Sequence, residues 1–185
     1  GQKTRTMLLL GYGCAGHSGG LLADAIQVAR VYFEQKNIQL ISIPRDLWVS
    51  LPDGKQGKVN QIFSQGTGKQ RIQSGGALSK EQIAVVVGAP IDYFVAIDFV
   101  GFKRIIGQEF KGLPVDVTIP LTDEWYPILG QEQNTCGKSS EEITALMSQY
   151  SGFELEKQFP CRYQKIDIPM GKTVLHGDEA LAYAR

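Results

Sequence analysis

Apolar and polar positions along this chain follow both of the periods that regular structure requires. Thr4 to Leu10 is a short apolar run that reads as a strand, and Ile38 to Ile43 is a second, bounded by Pro44, that reads as a buried strand. Between them, Ala25 to Phe33 fits helical spacing about as well as strand spacing, and both readings stay open. Leu47 to Leu51 alternates loosely into Pro52-Asp53-Gly54, a turn in which proline presets one dihedral and glycine supplies another. Lys58 to Phe63 reads as a helix start, and the polar, glycine-rich stretch from Gly66 to Gly76 as a mobile loop. Ser79 and Gln82 have the spacing of a capping box ahead of an apolar helix, Ile83 to Val87, that Gly88 closes. Ile91 to Ile97 alternates as a strand, Asp98 is placed to cap the helix that follows, and Leu113 to Ile119 is again strand-like. Ser139 to Tyr150 carries Ile143, Leu146, Met147 and Tyr150 at helical spacing, Ile166 to Ile168 is a short apolar run, and Gly177 to Arg185 begins a last helix. Strands interleaved with helices predict an α/β fold: one domain, a central mixed sheet with helices on both faces.

Composition narrows the partners. At 185 residues and 43% hydrophobic content the chain is long enough for one well-filled core. Nineteen basic and nineteen acidic residues cancel, so no general positive field is available for nucleic acid and any phosphate contact must be local. No apolar run approaches the ~20 residues that cross a bilayer. The chain opens on Gly1 and reaches Arg185 within a helical pattern, so a fragment of a longer protein is expected. Of three cysteines, Cys136 and Cys161 lie in a polar stretch, Thr122 to Tyr163, that interrupts the α/β pattern. A disulfide there would close an insertion and place the protein in an oxidising, extracytoplasmic compartment; two unrelated thiols are the other reading. Cys14 is then unpaired.

The candidate chemistry starts at the end of the second apolar run. Arg45 and Asp46 follow Pro44 where ligands of open α/β sheets collect, beyond the carboxyl end of a strand. Gly11, Gly13 and Gly16 satisfy G-x-G-x-x-G after a strand, but Gly19 and Gly20 would fall in the first turns of the helix that should hold a pyrophosphate, which counts against a dinucleotide site. Asp24 reads either as a helix N-cap or as a carboxylate facing the same cavity as Arg45, available to a hard cation. His17 reads as a loop residue bonded to backbone.

Ser42-Ile43-Pro44-Arg45-Asp46, Lys58-Val59-Asn60, Ile91 to Val95, Asp98 to Phe102 and Leu175 to Arg185 follow one another in an order that resembles the LytR-CpsA-Psr family. The resemblance spans most of the chain and leaves only the Thr122 to Tyr163 insertion unplaced. It implies an extracytoplasmic phosphotransferase, tethered to the outer face of the cell membrane by an upstream helix. Such an enzyme moves a glycopolymer of teichoic acid or capsular type from a polyprenyl-pyrophosphate carrier to peptidoglycan, with the lipid tail in an apolar tunnel. Carried onto this sequence, it implies that Arg45 and Arg185 grip the pyrophosphate and that Asp24 binds magnesium (Mg2+) or activates the incoming hydroxyl. Asp46, Lys58 and Asn60 then belong to the substrate site, with Asp46 holding Arg45 in place. The family commonly has a second carboxylate in the loop before Asp24, where this chain has Gly13, His17 and Ser18. A polyprenyl-pyrophosphate pyrophosphatase and a non-catalytic module that binds the lipid carrier are the alternative readings.

Overall fold

The computed structural model describes residues 4–13, 20–67 and 71–184, so Cys14, His17, Ser18 and Arg185 lie outside the described residues. The chain divides into two compact units, Gly1–Phe102 and Lys103–Arg185.

The first unit is built on a four-stranded mixed sheet in the order β3-β2-β1-β6. Strand β1 (Thr4–Tyr12) pairs antiparallel with β2 (Ala23–Tyr32), which pairs antiparallel with β3 (Asn37–Ser42). The stretch that fitted either period is therefore a strand as far as Tyr32, and Asp24 lies in β2 rather than at a helix N-cap. The antiparallel β1–β2 connection also rules out the dinucleotide reading, because that motif needs a helix after the glycines and a parallel return strand. A two-stranded ribbon, β4 (Trp48–Ser50) with β5 (Gln56–Lys58), leads into helices α1 (Gln61–Thr67) and α2 (Ile72–Val87). Strand β6 (Tyr93–Asp98) then returns parallel to β1.

Alternate residues of β1, Leu8, Leu10 and Tyr12, are buried and form one cluster with Ile26 and Val28 of β2, Ile62 and Phe63 of α1 and Ile83 of α2. Much of the glycine-rich stretch is helical: Gly66 and Thr67 end α1, and Ile72 to Gly76 begin α2. Gly75 and Gly76 lie within α2, buried, and a Cβ at Gly76 would collide with the Phe94 ring, so glycine there lets the helix meet the sheet. Ser79, expected at a helix start, is in the middle of α2, buried, with its Oγ unpartnered; Gly88 ends that helix in the left-handed conformation, as its position predicts. The expected buried strand is an exposed edge: Ile38 and Leu40 of β3 are each 59% exposed, and the apolar run reaches the core only at Ile43. A strand with one neighbour has an open flank, which an apolar run cannot announce.

Helix α3 (Phe99–Arg104), whose first turn is capped by Asp98 Oδ1 on the Gly101 N–H at 2.7 Å, starts at the end of the first unit and continues into a π-helical turn, Ile105–Glu109, of the second. Strand β7 (Leu113–Val117) pairs with β10 (Gly171–Leu175), and β8 (Leu121–Pro127) with β9 (Tyr163–Ile168), both antiparallel. The predicted insertion, Thr122 to Tyr163, takes in most of strand β8 as well as the segment between β8 and β9. That segment carries α4 (Ser140–Gln149), α5 (Gly152–Glu156) and a 3-10 turn, Pro160–Arg162. Here a full capping box forms, between Ser139 and Glu142. Trp125 meets Phe153 and Tyr163 edge-on, Tyr126 is buried, and Cys136 is bonded to Cys161. Helix α6 (Gly177–Ala184) buries Ala180 and Leu181 and packs against the π-helical turn and β9.

Candidate functional site at one end of the mixed sheet

Antiparallel pairing places the start of one strand beside the end of the next. The β2–β3 register runs from Tyr32↔Asn37 to Gln27↔Ser42; carried onward, it sets Asp24 opposite Arg45. Ile43 N–H donates to the Ile26 carbonyl at 2.9 Å and keeps that register as the chain leaves the sheet. Pro44 then opens a turn closed by the Leu47 N–H on its carbonyl, so Arg45 and Asp46 occupy the two exposed central positions. Because β6 is parallel to β1 and Tyr12 pairs with Asp98, the ends of β1 and β6 reach the same edge of the sheet.

A second strap fixes the turn from below. The β4–β5 ribbon returns Val59 and Asn60 beside it: Val59 N–H donates to the Leu47 carbonyl, Asn60 N–H to the Arg45 carbonyl at 3.3 Å, and the Asn60 carbonyl accepts from Ala23 N–H at 3.1 Å. One buried residue thus joins the backbones on either side of the Asp24–Arg45 pair. The residue is 6% exposed and its Oδ1 has no hydrogen-bond partner, so Asn60 is a bracket beneath the exposed charges.

Above that bracket runs a line of alternating charge. Arg45 Nη1 donates to Asp24 Oδ1 at 2.8 Å, Arg45 Nε lies 3.7 Å from Asp46 Oδ2, and Lys58 Nζ lies 2.6 Å from Asp46 Oδ1. All four side chains are about half exposed, open to a ligand arriving from solvent. The Lys58 ammonium bonded to Asp46, with the Arg45 guanidinium beside it, holds that carboxyl below the usual carboxylate range. Asp46 is therefore an anion at neutral pH that orients two cations. Arg45 meets the two carboxylates through Nη1 and Nε, and the rest of its five-donor fork can take an anion.

The structure brings together Asp24, Arg45, Asp46, Lys58 and the backbone of Asn60. Arg185 lies outside the described residues, directly after α6. Among the described residues no group of three or more His, Cys, Asp or Glu side chains could hold a metal ion. Asp24 fits magnesium only as one oxygen ligand of an ion completed by water and substrate phosphates, a common arrangement for that ion. The Lys58–Asp46 contact was not read from the sequence; the signal for it was the Lys-x-Asn that closes the β5 strand and returns to the Arg45 turn.

Comparison with known proteins places the chain among relatives of the same fold. The chain is 27% identical over its whole length to Polyisoprenyl-teichoic acid--peptidoglycan teichoic acid transferase TagV of Bacillus subtilis, and spans 37% of that protein. The crystal structure of B. subtilis TagV superposes with a TM-score of 0.65, covering 99% of this chain and 56% of that one. YwtF (TagT) with bound octaprenyl pyrophosphate lipid shares the fold at 23% identity, with a TM-score of 0.61 over 100% of this chain and 57% of that one. With the LytR_cpsA_psr family model matching residues 1–185, the chain belongs to the LytR-CpsA-Psr family.

Proposed function

We propose that this protein transfers a phosphoglycopolymer, of teichoic acid or capsular polysaccharide type, from a polyprenyl-pyrophosphate carrier to a hydroxyl of peptidoglycan during cell-wall assembly. The observation that carries the reading is the exposed Arg45 fork, clamped between Asp24 and Asp46 at the sheet edge where a diphosphate can meet it. The teichoic acid transferase activity of TagV and the octaprenyl pyrophosphate held by TagT support the substrate class.

In the reaction, the acceptor hydroxyl oxygen forms a bond to the phosphorus that bears the glycopolymer. The bond from that phosphorus to the bridging oxygen breaks, and polyprenyl phosphate leaves with the electron pair. Asp24 takes the hydroxyl proton, while Arg45, with Lys58 beside it, stabilises charge on the phosphoryl oxygens. Asp46 keeps both cations aimed, Asn60 ties the backbones beneath them, and Arg185 supplies a further cation. Magnesium bound at Asp24 and the diphosphate would add charge neutralisation. The hydrocarbon tail occupies an apolar tunnel beside the sheet, and residues 1–185 serve as one catalytic domain. No helix among the described residues is long and apolar enough to cross a membrane. The Cys136–Cys161 bond supports an extracytoplasmic site of action, at the outer face of the membrane behind an upstream anchor.

The test is turnover of a polyprenyl-pyrophosphate-linked glycan by the intact protein with magnesium, with and without a peptidoglycan acceptor. A new phosphodiester to peptidoglycan, lost in Arg45→Ala and Asp24→Ala, is the expected result. Release of the phosphorylated glycan to water alone would make the protein a pyrophosphatase, and tight lipid binding without turnover would make it a carrier-binding module.

A further inference from the structure

The β4–β5 ribbon carries an aromatic side chain to the line of charges. Its register sets Trp48 opposite Lys58, Val49 opposite Gly57 and Ser50 opposite Gln56. Opposed residues of an antiparallel pair share a face, with Cβ atoms about 4.5–5.5 Å apart. Val49 and Gly57 take the inner face: Val49 packs on the core, and Gly57 is buried where a Cβ would collide with the Leu51 side chain. Trp48, Ser50, Gln56 and Lys58 therefore take the outer face, and all four are exposed, Trp48 by 63%. From that face Lys58 Nζ reaches Asp46 at 2.6 Å, and Asp46 is only two residues before Trp48. The indole thus stands beside the cations that would meet a diphosphate.

The surroundings of the indole select what it meets. Beside it, Gln56 Nε2 donates to Ser50 Oγ at 2.7 Å, and the ribbon tip is Pro52-Asp53-Gly54-Lys55, with Lys55 Nζ 3.7 Å from Asp53 and its side chain 81% exposed. A tip with two charges opposes entry into hydrocarbon, since burying them costs more than one indole returns. A flat apolar surface ringed by amide, hydroxyl and ammonium groups suits a pyranose ring, which has an apolar C–H face and a hydroxylated edge. We propose that Trp48 is a specificity-determining residue that stacks on the pyranose joined to the diphosphate held by Arg45 and Lys58. The diphosphate rests on the transferase reading; the preference for a ring rests on the outer face of the ribbon.

The experiment measures binding of two charge-matched probes to the full chain by calorimetry, with no acceptor and no turnover. One is the farnesyl diphosphate ester of N-acetylglucosamine and the other the farnesyl diphosphate ester of glycerol. Both offer the same diphosphate to Arg45 and Lys58, and only the first carries a ring. Wild type should bind the sugar ester about tenfold more tightly. Trp48→Ala and Trp48→Leu should bind both esters alike, at the wild-type affinity for the glycerol ester, whereas Trp48→Phe keeps most of the preference because its ring is flat. Equal binding of the two esters by wild type, or a sugar preference intact in Trp48→Leu, would overturn the proposal and leave the transferase reading standing. Binding of neither ester by wild type would overturn both. A Trp48→Ala chain that keeps the sugar preference but no longer sediments with phosphatidylglycerol vesicles would make the indole a bilayer contact and overturn the proposal as well.

Discussion

Arg45→Ala separates a catalytic cation from a structural one. The pair it breaks is short, 2.8 Å to Asp24, but its side chains are 55% and 41% exposed, so solvent screens it and it contributes at most ~1 kcal/mol to stability. The backbone bond from Asn60 N–H to the Arg45 carbonyl survives any substitution at that side chain. The melting temperature should therefore fall by no more than about 2–4 °C in a chain of this size. The effect on chemistry is of another order. Removing a preorganised donor from developing charge typically lowers turnover by ~10²–10³. Arg45→Lys retains the charge and loses the planar fork, and should lie between the two. Polyprenyl phosphate release under single-turnover conditions measures the first effect and thermal unfolding by circular dichroism the second. An Arg45→Ala protein that keeps more than about a tenth of wild-type turnover, or that unfolds outright, would refute the reasoning.

Three further outcomes follow from the packing. Replacing Cys136 and Cys161 by serine opens a 25-residue separation, and chain entropy predicts about 3 kcal/mol of lost stability, read in urea unfolding of the second unit and mimicked by reductant in the wild type. Gly76→Ala gains helix propensity but drives a methyl group into the Phe94 ring, and Gly75→Ala meets the Phe63 carbonyl at 2.7 Å, so each should destabilise the first unit by ~1–3 kcal/mol in denaturant titrations. Burial, and then the bond to Glu156, push the Tyr163 hydroxyl above its ordinary value of 10.0; the folded state therefore holds its proton more tightly than the unfolded chain. Stability from this group is complete below pH 10 and is lost as pH rises through the elevated value, so wild type should lose more stability than Tyr163→Phe between pH 9 and 12 (range set by the ordinary value of ~10).

Several elements were legible from local pattern because their causes are local. Gly88 ends α2 since only a residue tolerant of left-handed backbone does so without strain, and Asp98 caps α3 since its carboxylate reaches an N–H three residues on. The Ser79–Gln82 box is the counterexample. The same spacing forms a true box at Ser139–Glu142, but in α2 the helix begins earlier and buries Ser79, because tertiary contact with the sheet carries the glycine-rich segment into helical structure.

The chain taken alone determined that strands and helices mix in one sequence, carried the family resemblance, and singled out Arg45, Asp24 and Asp46 as candidate site residues. It could not determine that they touch. Asp24 and Arg45 are 21 residues apart, and their contact follows from an antiparallel register and from a buried asparagine that joins two segments through its backbone. Nor could it show that the Ile38–Ile43 run is an exposed edge, since hydrophobicity records what a strand can bury and only the sheet order decides whether a neighbour is there to bury it.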